Sequence, residues 1–239
     1  MTRTLQTGKV FALSILAGLV ACGTLIGINL GLVQRYNAVL AEIELENLLG
    51  AGEFDEEEFD NQMRSIYFSQ LYGSLIIGPA AGALVGGVFV AARIRMSPLK
   101  AALLIAGIAW FVLYVIPTAK YPPSPTAMFD PQVAGSYQEL LVGYTAVSGL
   151  SALGIAFGFR RIKRKGKTLG AAALYLAVVS AAFFAFPDYQ SEDDSLLPQS
   201  VVSAWRSAIS LSVTAFWFAL GIICGLLWTY GSKSAGRGI

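Results

Sequence analysis

The chain has 239 residues, of which 55% are hydrophobic and 13% charged, with a net charge of +2 and no histidine. An ordinary soluble domain carries about 25% charged residues, so that class is excluded and an all-α integral membrane protein is expected. The small net charge points to no nucleic-acid partner. Without histidine there is no Ser-His or Cys-His pair and no histidine-based metal centre, so no enzyme, catalytic residue or cofactor is expected.

Six apolar runs, at about 10–33, 66–92, 99–119, 140–159, 168–186 and 204–230, each have the roughly 20-residue length of a bilayer span. They read as one transmembrane domain over 1–239, with six helices arranged as three hairpins. With the gaps numbered alternately, 13 of the 17 basic residues fall on one side, and the other four share a side with all 15 carboxylates. The positive-inside rule then puts both termini in the cytoplasm of a multi-pass protein of the cell membrane.

In the first run, Leu19, Val20, Ala21 and Cys22 match a lipoprotein cleavage box. The apolar run continues through Gly23, Gly27 and Gly31 to Val33, so an uncut helix is expected. Cys22 and Cys224 both lie inside apolar runs and suggest no disulfide; as a pair of thiols they make an incomplete metal site.

An acidic outer loop is expected at 34–65, with nine carboxylates between Glu42 and Asp60. Glu53, Asp55, Glu56, Glu57, Glu58 and Asp60 are its densest part, and oxygen ligands of this kind attract hard divalent cations. The alternative is a solvated charge run that keeps the loop soluble, since no EF-hand spacing is present. The second run carries Pro79 beside Gly78 and Gly82, a kink with a freed carbonyl. GxxxG steps at Gly82 and Gly86, Gly154 and Gly158, and Gly221 and Gly225 suggest close helix contacts.

After the third run, the outer loop 120–139 opens with Lys120, Tyr121, Pro122 and Pro123, then Pro125, a pre-ordered cap over the bundle. Trp110, Tyr114, Tyr121, Tyr137, Trp205, Trp228 and Tyr230 lie near span ends and read as interface anchors. The basic run from Arg160 to Lys167 reads as a topogenic cytoplasmic loop that touches anionic lipid.

An apolar-Pro pair, then Lys120, Tyr121, Pro122 and Pro125, then Asp130, Pro131 and Gly135, resembles the CbtA-type family of probable cobalt transporter subunits. An acidic segment after helix one, a Gly-rich second helix and a last span opening with Trp205 and Arg206 extend the resemblance over nearly the whole chain. The chain departs from it at Phe129, where members often have Gly, and at Ser136 and Tyr137, where Arg is common. It also lacks the histidine that many members carry in the first outer loop. The resemblance implies a subunit in divalent-metal uptake, cobalt or nickel, with Lys120, Tyr121, Pro122, Pro125, Asp130, Pro131, Gly135 and Arg206 as its motif residues. No Walker motif is present, so ATP-driven uptake needs other transport subunits as partners. The competing expectation is a structural or accessory membrane subunit that transports nothing. It is favoured by the lack of histidine and of carboxylates within the spans.

Overall fold

A computed structural model describes residues 7–51, 55–92, 94, 96–160, 166–189 and 197–234. Among them the backbone is almost wholly helical and no strand occurs. In chain order come α1 (Thr7–Ile28), α2 (Gln34–Ala51), α3 (Glu56–Ala92), α4 (Pro98–Trp110), α5 (Ile116–Lys120), α6 (Thr126–Phe129), α7 (Pro131–Arg160), α8 (Lys167–Ala185) and α9 (Gln199–Ser234). A π-helical turn, Asn29–Val33, fuses α1 to α2, and a second, Phe111–Val115, fuses α4 to α5. Among the described residues six helices are long and apolar enough to cross a membrane: Thr7–Asn47, Phe59–Ala92, Pro98–Lys120, Val133–Phe159, Thr168–Ala185 and Gln199–Ser232.

Five of the six expected spans sit inside these helices, and 168–186 runs one residue past the helix end at Ala185, but the segments between the spans differ. The region 34–65, expected as a loop, is helical over Gln34–Ala51 and again from Glu56. Its glutamates, leucines and alanines are good helix formers, and nothing breaks the chain after the first span. At 1.5 Å per residue the 41 residues of Thr7–Asn47 extend about 60 Å, roughly twice a bilayer core. The expected loop 120–139 is likewise mostly helix: only Tyr121–Pro125 and Asp130 lie outside α5, α6 and α7. Pro79 lies inside an unbroken α3.

The chain divides into two compact units. One comprises the described residues of Met1–Ile108 and Leu197–Ile239, the other those of Ala109–Leu196.

In the first unit α1 is the central helix, packed antiparallel against α3. Ser14, Gly18 and Cys22, one turn apart, meet Gly78, Gly82 and Gly86. A Cβ at Gly78 would stand 2.6 Å from the Gly18 carbonyl oxygen and 2.7 Å from Cys22 Cβ; one at Gly86 would stand 2.6 Å from Ser14 Oγ. The backbones approach this closely because no side chain intervenes. On α9, Gly225 and Gly221 similarly receive Leu99 and Leu103 of α4. The expected contacts fail at Gly154 and Gly158, and on α1 Gly23, Gly27 and Gly31 are equally open: among the described residues nothing lies within 4 Å of a Cβ added at any of the five. Spacing alone does not select a face, and on α1 the packed face is the one carrying Ser14 and Gly18.

The second unit packs α7 antiparallel to α8. Tyr144 reaches the Val179 carbonyl at 3.3 Å, and Tyr121, Tyr137, Tyr144 and Val179 form its core.

Candidate functional site

Polar side chains within the first unit fall into a register along α1, α2 and α9. Trp228 Nε1 donates to Ser14 Oγ at 3.0 Å, and Ser14 in turn donates to the Val10 carbonyl at 2.7 Å. Farther along, Ser212 Oγ donates to Asn29 Oδ1 at 2.7 Å. Beyond that, Trp205 Nε1 donates to Asn37 Oδ1 at 2.8 Å, and Asn37 Nδ2 donates to Gln34 Oε1 at 3.2 Å. From Ser14 to Asn37 is about 35 Å along the helix, so the rungs span a bilayer's thickness. An unsatisfied buried donor or acceptor costs about 1–3 kcal/mol, so each rung fixes both rotation and register of α9.

This corrects the reading as interface anchors for four of the seven residues, while Tyr230 is exposed and Trp110 and Tyr114 are half-buried. Trp205, Trp228, Tyr121 and Tyr137 are buried within the protein. Their polar ends are satisfied by protein atoms instead of by the headgroup region.

A groove lies between the α1–α2 rod and α3. One part of it is a cleft of about 270 Å³ lined by Gln34, Asn37, Glu42, Phe59 and Met63 among others. Next along the same two helices is a separate crevice of about 10 Å³, where Asn29, Tyr67, Gln70 and Ser74 supply the polar lining. Asn29 opens the first π turn. Such turns interrupt the regular i→i−4 ladder and recur at functional sites. Ser74 Oγ donates to the Gln70 carbonyl at 2.7 Å, so only its lone pairs remain to face the cavity. Beyond Ser74 the glycine crossing at Gly78 and Gly18 closes the interface.

The acidic residues singled out from sequence lie at one end of this groove's walls. Asp55 precedes α3, accepting the Phe59 amide at its backbone carbonyl (3.0 Å), and Glu56, Glu57 and Asp60 follow it. All four are exposed, as is Glu42. Acids at a helix start complement the macrodipole, which gives them a local structural role. Among the described residues no three Cys, Asp or Glu side chains converge as a metal site. Glu53 and the side chain of Glu58 lie outside the described residues. Cys22 donates to the Leu19 carbonyl at 2.8 Å, and Cys224 is hydrogen-bonded to Ser14, so the two thiols have separate partners.

In the second unit the motif residues form a tyrosine-rich knot. Lys120 ends α5, its side chain only 3% exposed, and is ion-paired to Asp188, which is 79% exposed. The ammonium also lies 4.5 Å from the centre of the Phe183 ring. Tyr121 Oη donates to the Pro187 carbonyl at 2.7 Å, and Tyr137 Oη donates to the Tyr121 carbonyl at 3.3 Å. Burial raises the Tyr121 phenol above its ordinary range; Lys120 opposes the shift and Asp188 adds to it. Pro125 is buried and Pro122 exposed. Asp130 caps α7, its Oδ1 accepting the Val133 amide at 3.3 Å, with Pro131 as the first helical residue. The Pro131 side chain lies outside the described residues. Gly135 faces open space on α7. Arg206 belongs to the first unit, next to Trp205 on α9.

Sequence reasoning missed Asn29, Asn37, Ser212 and the π turns. Asn29 carried a usable signal, an amide inside an apolar span. The second π turn has a partner too: Ser148 Oγ donates to the Val112 carbonyl at 2.7 Å and lies 2.8 Å from Tyr175 Oη.

A family model described as "Probable cobalt transporter subunit (CbtA)" matches residues 8–229, nearly the whole chain. No curated protein and no solved structure matches it.

Proposed function

Because the chain belongs to the CbtA family of probable cobalt transporter subunits, we propose that it is the multi-pass membrane subunit of an uptake system for cobalt or nickel. The observation that carries this reading is the groove along α3. A cleft between α2 and α3 is lined by Glu42, Gln34, Asn37 and Met63, and a separate, smaller crevice beside the first π turn is lined by Asn29, Tyr67, Gln70 and Ser74 together with Ile26, Leu30 and Leu71. Oxygen donors such as those of the cleft accept a divalent cation, and the exposed acids around Asp55–Asp60 raise its local concentration.

In this reading the six spans form three hairpins with both termini cytoplasmic, as the charge bias supports. The projecting α2 and the start of α3 then face outward, where they collect the metal. The chain itself performs no catalysis, and any energy input comes from partner subunits. A reporter fused after Ile239 that is active only outside the cell would overturn this orientation. Cobalt and nickel accumulation in cells with and without the gene tests the function. Lower accumulation without the gene is expected, and unchanged accumulation would leave a scaffolding subunit instead.

A further inference from the structure

We infer that the cleft between α2 and the first turns of α3 is a docking groove for a basic amphipathic helix of a partner protein. The inference goes beyond the uptake reading and stands whether or not the chain moves metal.

The apolar walls carry it. On α2, Ala38, Ala41 and Leu45 recur at helical spacing, and on α3 Phe59, Met63 and Ile66 do the same, so each helix turns one apolar stripe to the cleft. The two stripes do not close on one another. Among the described residues α2 touches α3 only sparsely, and about 270 Å³ lies between them. At about 30 Å³ per water this is the room of about nine waters, enough for a short row of apolar side chains. Leu45, Phe59, Met63 and Ile66 are left half-buried. Walls of this spacing receive the i, i+3, i+4 and i+7 side chains of an inserted helix, and Met63 gives one wall an adaptable surface.

The charges decide what fills the groove. α2 carries Arg35, Glu42, Glu44 and Glu46, a density that the hydrocarbon core does not admit, so lipid tails do not cover it. The rim is acidic. Glu42 and Glu46 border the α2 stripe, Glu56 and Asp60 the α3 stripe, and all four are exposed. Between Gln34 and Ile66 the sequence has nine carboxylates and two arginines. Lysines and arginines beside the apolar face of an incoming helix complement this rim, whereas a second copy of α2 or α3 would bring acid against acid. The chain's own basic run, Arg160 to Lys167, falls on the opposite side of the membrane in the six-span order, so the helix comes from another protein.

The test uses the purified full-length protein in phosphatidylcholine nanodiscs and a fluorescent leucine–lysine peptide of about five helical turns, its leucines at i, i+3, i+4 and i+7. It is expected to bind one per chain. Binding should be at least tenfold tighter than that of a scrambled peptide, of a leucine–glutamate peptide, or to nanodiscs without protein. Ala38 is exposed, so Ala38→Trp fills the groove without entering the core and should weaken binding at least tenfold. Neutralising the rim by Glu42→Gln, Glu46→Gln, Glu56→Gln and Asp60→Asn together should also weaken it at least tenfold and flatten its salt dependence. Equal binding of patterned and scrambled peptides would reduce the groove to a charged patch and overturn the inference. So would binding that Ala38→Trp leaves unchanged, or a glutamate peptide that binds as tightly as the lysine one. Self-association of the protein that Ala38→Trp abolishes, with no binding of the basic peptide, would give the groove to a second copy instead.

Discussion

Trp205 donates its indole N–H to Asn37 across the seam between α9 and α2, at 2.8 Å, and both residues are buried. Asn37 passes the chain of hydrogen bonds to Gln34, at the edge of the cleft. The helix that closes the chain therefore sets the geometry of a wall formed near its beginning.

Trp205→Phe keeps the aromatic volume but removes the donor. It is expected to cost about 1–3 kcal/mol, because Asn37 Oδ1 loses its buried partner. Thermal unfolding of the purified protein measures this, and a melting temperature equal to wild type would show that the rung contributes nothing.

Two glycines of the same sequence pattern should respond oppositely to alanine. A Cβ at Gly82 would run into the Ser14 carbonyl oxygen, backbone against backbone, so Gly82→Ala is expected to destabilise by about 1–3 kcal/mol. Gly154 has nothing within 4 Å, so Gly154→Ala should be neutral or slightly stabilising. Denaturation in increasing detergent strength would separate them, and equal midpoints would refute the assigned packing faces.

The Lys120–Asp188 pair joins a covered cation to an exposed carboxylate, so solvent screens the attraction. Asp188→Asn is expected to cost up to about 1 kcal/mol. Adding Lys120→Met should recover stability, because no unpaired ammonium then remains against Phe183. A double variant less stable than Asp188→Asn alone would show that Lys120 contributes by something other than its charge pair.

The Tyr121 knot carries an alkaline limit. Its phenol is raised, chiefly by burial, so the folded state favours the neutral form. That contribution is complete below the ordinary tyrosine value of about 10 and is lost as pH rises through the higher folded value. Absorbance titration of phenolate should show a late step that Tyr121→Phe removes. Should the step persist in the variant, another tyrosine carries it.

The spans were legible because a bilayer demands a run of apolar residues whatever those residues touch. Residues such as Gly154 and Gly18 look alike in sequence, however, and only the partner helix distinguishes them. Trp228 gave a signal for burial and for the interface at once, since its ring is apolar and its N–H polar; the hydroxyl of Ser14 decides between them. Glu42 to Glu46 resembled a loop by charge, although the same residues propagate helix well in water. The candidate groove was only half visible. Its acids stood out, while Asn29 and Gln70 acquire meaning from a π turn and a neighbouring cavity that no local pattern announces.

Uptake is tested most directly by the initial rate of radioactive cobalt accumulation over a range of external metal concentrations. Cells lacking the gene are compared with cells carrying wild type or the triple variant Glu56→Gln, Glu57→Gln, Glu58→Gln. Wild type is expected to restore accumulation at every concentration, and the triple variant to fall short only at low metal, where capture limits the rate. Identical accumulation in cells with and without the protein would contradict metal uptake and leave the chain a scaffold.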